Sequence, residues 1–300
     1  MADTATMQRT LAADPASPRP TPAAAHRTTA TVAARRVSWL VAVLMAFQAG
    51  VGVLAPSVYR DTGWVTAAWY GNDLVTLLVT VPLLTWALSV AARGSLHAEL
   101  VWYSMLGYAV YNYAYYLFGA ELNAFFPLYA ALFVMPVFAL ILALGRVDAG
   151  AIASRFAAGM PRRWIAGYML FTGIGLAVAW TAQWAAYVFT GTVPSIGVEP
   201  FQIVAAMDLT FMVPWFIVGA ILLLRRNAWG FLVAPVVILK GATYTLVLTT
   251  SSTVAALRGV EGTMEQIPIW AAWTALGLLA AWATLGSVNG AGPMNGRSAA

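Results

Sequence analysis

Eight stretches of this chain are apolar over about 20 residues each, and that feature leaves very few folds open. A bilayer core of ~30 Å, crossed at 1.5 Å per residue, takes ~20 residues of helix. The stretches fall at roughly 37–57, 71–92, 100–119, 125–144, 164–190, 202–224, 230–250 and 268–286. In lipid an open chain satisfies its backbone only as helix, and the two-residue alternation of a membrane barrel is absent. Composition agrees. Apolar residues are 61% of the 300 and charged residues 9%, against ~45–50% and ~25% in soluble domains. A soluble fold and whole-chain disorder are both excluded. The sequence therefore predicts an all-α, polytopic integral membrane protein. One eight-helix domain spans 35–287, between a disordered tail at 1–34 and a short flexible tail at 288–300.

Basic residues set the expected threading. With the N-terminus in the cytoplasm, thirteen of the 16 Lys and Arg fall on the cytoplasmic side. Arg60 and Arg258 fall outside, and Lys240 falls within the seventh span. The expectation is a multi-pass protein of the cell membrane with both termini cytoplasmic. The lipid bilayer is its first partner, and the Arg-rich tail is suited to anionic headgroups. The arginines are scattered rather than interleaved with aromatics, so nucleic acid is excluded as a partner. Oligomeric state is not encoded in any pattern here. Tyr59, Trp64, Trp69 and Tyr70 read as an outer aromatic belt. Ile152, Phe156 and Met160, at i, i+4 and i+8, read as the apolar stripe of a cytoplasmic surface helix within 145–163. Residues 251–267 read as the longest outer loop.

Ionisable groups inside a span cost ~2.5–3.5 kcal/mol each even on lenient scales, so each needs a reason. Asp208 in the sixth span and Lys240 in the seventh read as an ion pair, either a pin between two helices or the polar wall of a binding cavity. Asp73 and Asn72 lie near the outer mouth of the second span. Tyr108 and Asn112 share one face of the third, and Tyr244 follows Lys240 by one turn. Asp208, Lys240, Asp73, Asn72, Asn112, Tyr108 and Tyr244 are the candidate ligand- or proton-binding residues. They are expected to converge on an outward-facing cavity with Glu121 and Asn123 near its rim. Asp73-Leu-Val-Thr before Pro82, and Asp208-Leu-Thr before Pro214, suggest a parallel 4+4 repeat.

Other chemistry is thinly represented. With no cysteine, disulfides, iron–sulfur clusters and thiolate metal sites are excluded. His26 and His97, in a tail and near a helix end, do not make a haem or metal centre. There is no Walker loop, H-E-x-x-H or G-x-S-x-G. Asp148-Ala-Gly-Ala-Ile-Ala-Ser-Arg155 approaches a metal-dependent phosphotransferase signature, but the next acid, Glu199, falls on the opposite side of the membrane. Lys240 lacks the surroundings of a retinal lysine. No catalytic residue, metal ligand or cofactor is assigned.

Several runs together carry a likeness: Tyr70-Gly-Asn-Asp-Leu-Val-Thr, Gly107-Tyr through Tyr113 to Phe118-Gly, Arg225-Arg-Asn-Ala-Trp-Gly, and Leu239-Lys-Gly-Ala-Thr. Over about residues 37–286 they resemble a group of bacterial multi-spanning membrane proteins with no assigned activity. The resemblance implies the threading and no function. The leading expectation is transport or binding of a small solute, proton or ion through the outward cavity. The alternatives are a membrane-embedded enzyme acting on a lipid or isoprenoid-like substrate, and a structural subunit of a membrane assembly.

Overall fold

Helix α1 (Pro22–Leu54) opens the chain and begins inside the stretch expected to be tail. The structure is a computed structural model in which residues 22–61, 63–194 and 196–289 are described, apart from the side chains of 22–30 and 64. The rest of both tails, and the side chain of Trp64, lie outside the described residues. The second span is α2 (Gly63–Val75) and α3 (Val81–Ala91), joined by a π-helical turn over Thr76–Thr80. Then come α4 (Leu96–Gly119), α5 (Phe126–Leu144) and the single turn α6 (Ala149–Ala153). After α7 (Arg162–Thr190), the stretch expected as the sixth span is α8 (Val198–Met207), a second π turn over Asp208–Met212, and α9 (Val213–Leu224). Helices α10 (Ala228–Leu257) and α11 (Ile267–Leu285) complete the described chain.

Seven of these helical stretches are long and apolar enough to cross a membrane. Helix α4 has 24 residues, enough in length, but its tyrosines, Asn112 and Glu99 dilute its apolar content. Those polar groups are tolerable because α4 faces protein almost all round. It packs on α3, α5, α8 and α10, and Tyr108, Tyr111, Tyr113 and Tyr116 are all fully or almost fully buried. Helix α10 is the most buried of the seven, at 67% against 44% or less for the others. Helices α4 and α10 are thus the two central posts. Close approach needs small residues. Gly71 on α2 lies against the backbone of Ser251 on α10, where a Cβ would come within 2.5 Å of the Ser251 Cα.

The chain is built as two similar halves. The π turns at Thr76–Thr80 and Asp208–Met212 are displaced by 132 residues, and each is followed at once by Val-Pro, Val81-Pro82 and Val213-Pro214. Proline has no N–H to donate and crowds the preceding turn, and the widened π turn absorbs the disturbance. The same displacement separates the N-caps Ser95 of α4 and Asn227 of α10, each accepting a backbone N–H through its side chain. Helices α5 and α11 each have 19 residues with proline in the second position. Neighbour order repeats too. In the first half α1 meets α2 and α3, α3 meets α4, α4 meets α5, and α5 closes on α1. In the second, α7 meets α9, α9 meets α10, and α10 meets α11, but α11 and α7 barely touch. Across the halves α4 meets α10, α2 meets α10, and α8 meets α4. This is the neighbour pattern of a parallel repeat. It corrects the alignment suggested by the sequence runs, because the turns and prolines place Thr76, not Asp73, opposite Asp208.

Two surface expectations are also corrected. Tyr59 and Trp69 are core residues rather than interface anchors, buried to 5% and 1% exposure. Trp69 stacks on Tyr116 at 4.4 Å between ring centres. Ile152, Phe156 and Met160 are buried as well, with Phe156 against Phe231 of α10 at 5.4 Å. Helix α6 is only five residues long. Their stripe turns inward because the segment is pinned by backbone bonds from Ala157 N to Ser287 O (2.8 Å) and from Asn289 N to Arg155 O (2.8 Å). Helix α10 continues seven residues past the expected end of its span, to Leu257. Thr249 donates to Thr245 O and Thr253 to Thr249 O within the helix, whereas Ser251 donates to Ala68 O of α2 at 3.0 Å.

Candidate functional site

Two separate polar centres lie inside the helices, one in each half. The first is built on Asp73 of α2. Tyr116 of α4 donates to Asp73 Oδ1 at 2.8 Å, Gln48 Nε2 of α1 donates to the same oxygen at 3.1 Å, and the Tyr59 hydroxyl donates to Oδ2. Gln48 Nε2 also reaches the Tyr59 hydroxyl, and Tyr113 donates to Gln48 Oε1 at 2.9 Å. Tyr59 lies in the connection after α1. Burial, and then the neighbouring carboxylate, push its phenol far above the ordinary range and keep it a donor. Asp73 is completely buried and its hydrogen-bonding partners are all neutral side chains. Gly52 makes room for it, since a Cβ there would overlap the carboxylate. Beside this cluster Tyr108 donates to Asn72 Oδ1 at 3.1 Å and shares a 2.9 Å hydrogen bond with Thr76.

The second centre is built on Asp208, the first residue of the second π turn. Tyr111 of α4 donates to its Oδ1 at 2.7 Å, and Trp180 Nε1 of α7 donates to its Oδ2 at 2.8 Å. Lys240 does not pair with it, which corrects the expected ion pair. The Lys240 Nζ lies 2.6 Å from Met212 Sδ and 3.5 Å from Phe211 O. It also sits 4.1 Å from the centre of the Tyr111 ring. Tyr111 is therefore the intermediary, its hydroxyl on the acid and its face to the ammonium. Tyr244 closes the group, edge-on to Tyr111 at 4.5 Å.

Asp208 opens onto a cavity of about 500 Å³ lined mostly by the second half. Its walls come from α7 (Thr172, Gly175, Ala179, Trp180), from α10 (Tyr244, Ser252) and from α11 (Trp270, Trp273). Phe216 of α9, Val204 of α8, Trp69 and Asn72 of α2 and Tyr115 of α4 also line it. Its mouth lies by the connection between α10 and α11, at Glu261, Thr263 and Gln266. Of the seven candidates, Asp208, Asn72 and Tyr244 line it, whereas Asp73, Asn112, Tyr108 and Lys240 do not. The expected single convergence of all seven therefore fails. Asp73 belongs to the packing of the first half, and both polar atoms of Asn112 are buried without a hydrogen-bond partner. The expected rim is corrected as well. Asn123 is engaged in the turn before α5, where its Oδ1 accepts from Phe125 N at 2.9 Å. Asp61 Oδ1 accepts from the Glu121 backbone at 3.0 Å.

Sequence reasoning missed Trp180, Thr172, Trp270, Trp273 and Glu261 as cavity residues. Tryptophans and threonines are ordinary in membrane helices, so nothing in their spacing set these apart. Tyr111 was hidden for another reason: it lies just off the Tyr108 and Asn112 face. Register was the available signal. Gln48 and Trp180 are 132 positions apart, as are Thr76 and Asp208, and Tyr108 and Lys240. Compared with protein-family models, curated proteins and solved structures, the chain matches none.

Proposed function

We propose that this chain is an eight-span protein of the cell membrane, both termini cytoplasmic, that binds or transports a small solute through the cavity at Asp208. Helix α4 then counts as a span, a buried one whose tyrosines face protein. The positive-inside bias puts Glu261 and Gln266, and so the mouth of the cavity, on the outer side.

One observation carries the reading, and it comes from comparing the halves. The first half packs the same helix order with neutral side chains at the matching positions. Thr76 bonds Tyr108 at 2.9 Å where the second half has Asp208 and Lys240. The first half has an intramembrane acid of its own, Asp73, but it is enclosed by Gln48, Tyr59 and Tyr116 and does not line the cavity. The acid of the second half, Asp208, instead lines a cavity of about 500 Å³, within the range of small-molecule sites. A carboxylate costly to bury and left bordering open space is a functional group by default.

The test uses the absence of native cysteine. Thr245→Cys and Ser252→Cys, both on the cavity wall, should react with a small membrane-impermeant thiol reagent added outside intact cells. A bulky Ala179→Trp in the same chain should slow that reaction. Labelling from the cytoplasmic face only would overturn the outward-facing site.

A further inference from the structure

The cavity's walls and its missing side identify its ligand by chemistry. In the first half α5 packs along α1 and closes the ring, whereas in the second half α7 and α11 barely meet. The two helices touch through the stacked rings of Phe171 and Trp273, 5.5 Å between centres, while Gly175 and Ala179 on α7 and Ile269 on α11 are exposed and on the cavity wall. In a bilayer so thin a seam offers the cavity a route to acyl chains besides the mouth at Glu261. The interior is apolar and carries several aromatic rings, with Trp69, Trp180, Phe216, Tyr244, Trp270 and Trp273 on its walls. The charged side chains on the lining are acidic, Asp208 and Glu261. Lys240 is engaged by Met212, Phe211 and the ring of Tyr111, and does not line the space. An apolar cavity with aromatic rings and acidic side chains on its walls suits a cation, through ring faces and direct charge, and penalises an anion.

We propose that the ligand is a lipophilic organic cation: an apolar body that partitions into the membrane and a quaternary or protonated amine head that seats against Asp208. The body occupies the aromatic part of the cavity between α7, α10 and α11. The head approaches the carboxylate from the cavity side, opposite the hydroxyl of Tyr111. This rests on the cavity being a ligand site and adds the sign of the ligand's charge and its entry from lipid.

The experiment uses the full-length protein in detergent with Gly175→Cys as a reporter, at a position where a Cβ meets no other atom within 4 Å. Three probes compete with thiol alkylation. They are benzyltrimethylammonium, its neutral isostere neopentylbenzene, and benzenesulfonate. The cation is expected to protect the reporter at a concentration at least tenfold below that of the neutral isostere, with no protection by the anion. Asp208→Asn should erase that difference and leave protection by neopentylbenzene unchanged, which cancels any difference in micelle partition. If all three protect equally and Asp208→Asn changes nothing, the cavity binds ligand but the cation assignment is overturned. If none protects, the cavity reading itself fails. Should Asp208→Asn not fold, the ranking of cation over anion in the reporter chain decides alone, equal protection again overturning the proposal.

Discussion

Removing the Tyr111 hydroxyl isolates the contact on which the second polar centre depends. Tyr111→Phe keeps the ring beneath the Lys240 ammonium, 4.1 Å from its centre, and deletes only the 2.7 Å bond to Asp208 Oδ1. Hydrogen bonds to charged groups are worth ~1.5–3 kcal/mol. Asp208 keeps Trp180 Nε1 on its other oxygen, so one of two donors is lost and the acid is not stranded. A cost of ~1.5–3 kcal/mol follows, a factor of roughly 10 to 150 in the folding equilibrium. The first half supplies the comparison. Its matching contact, Thr76 with Tyr108, joins neutral groups, and such pairs in membranes average ~0.6 kcal/mol in double-mutant cycles. Unfolding should be followed by denaturing-detergent titration in mixed micelles for Tyr111→Phe, Asp208→Asn and the double variant. The matching series is Tyr108→Phe, Thr76→Val and their double. The coupling energy in the second half should exceed that in the first by ~1 kcal/mol or more. Additive effects at Tyr111 and Asp208, within ~0.3 kcal/mol, would show that the hydroxyl does not hold the acid and refute the account of that centre.

Other substitutions test separate parts of the structure. Gly71→Leu drives a side chain into the backbone of Ser251 and should destabilise by at least the ~1–3 kcal/mol of overpacking in the same titration. A melting midpoint unchanged from wild type would mean that α2 and α10 do not cross there. Asn112→Leu keeps the branched shape and removes two buried polar atoms that have no partner. It should be neutral or stabilising by up to ~1–3 kcal/mol, whereas a clear loss of stability would reveal a hydrogen-bonding partner at that amide. For the threading, Glu265→Cys should react with an impermeant thiol reagent on intact cells and Ser154→Cys only after permeabilisation. The reverse pattern would invert the topology.

What the sequence made legible follows from the range of each interaction. Helix type and approximate position depend on local apolar length, and seven helical stretches among the described residues are long and apolar enough to cross a membrane. The strongly polar α4 was read as a span from its length, and only packing explains why its tyrosines are affordable. Asp208 was legible as a site candidate because a carboxylate in an apolar run is anomalous on its own. Its partners were not legible, because they come from α4 and α7, 97 and 28 residues away. Lys240 shows how a sound electrostatic argument misleads. Opposite charges on neighbouring helices suggested a pair, but a ring, a thioether and a carbonyl already surround the ammonium. The repeat was half legible. Matching Asp to Asp followed side-chain identity, whereas the two halves match in backbone, through a π turn, a Val-Pro and an N-cap.

A frame made twice within one chain also divides tolerance to change unevenly. In the first half the interior is filled by Gln48, Asp73, Tyr113 and Tyr116, locked in one hydrogen-bonded cluster. Almost any replacement there leaves a buried group unpaired. In the second half a cavity of about 500 Å³ is left open, and side chains such as Thr172, Ala179 and Ile269 border it. Exchanges among them alter the shape of a hole without removing a support. New cavity shapes are therefore accessible through small steps on α7 and α11, while helices α1 to α5 stay fixed as the anchor against which α7 to α11 can vary.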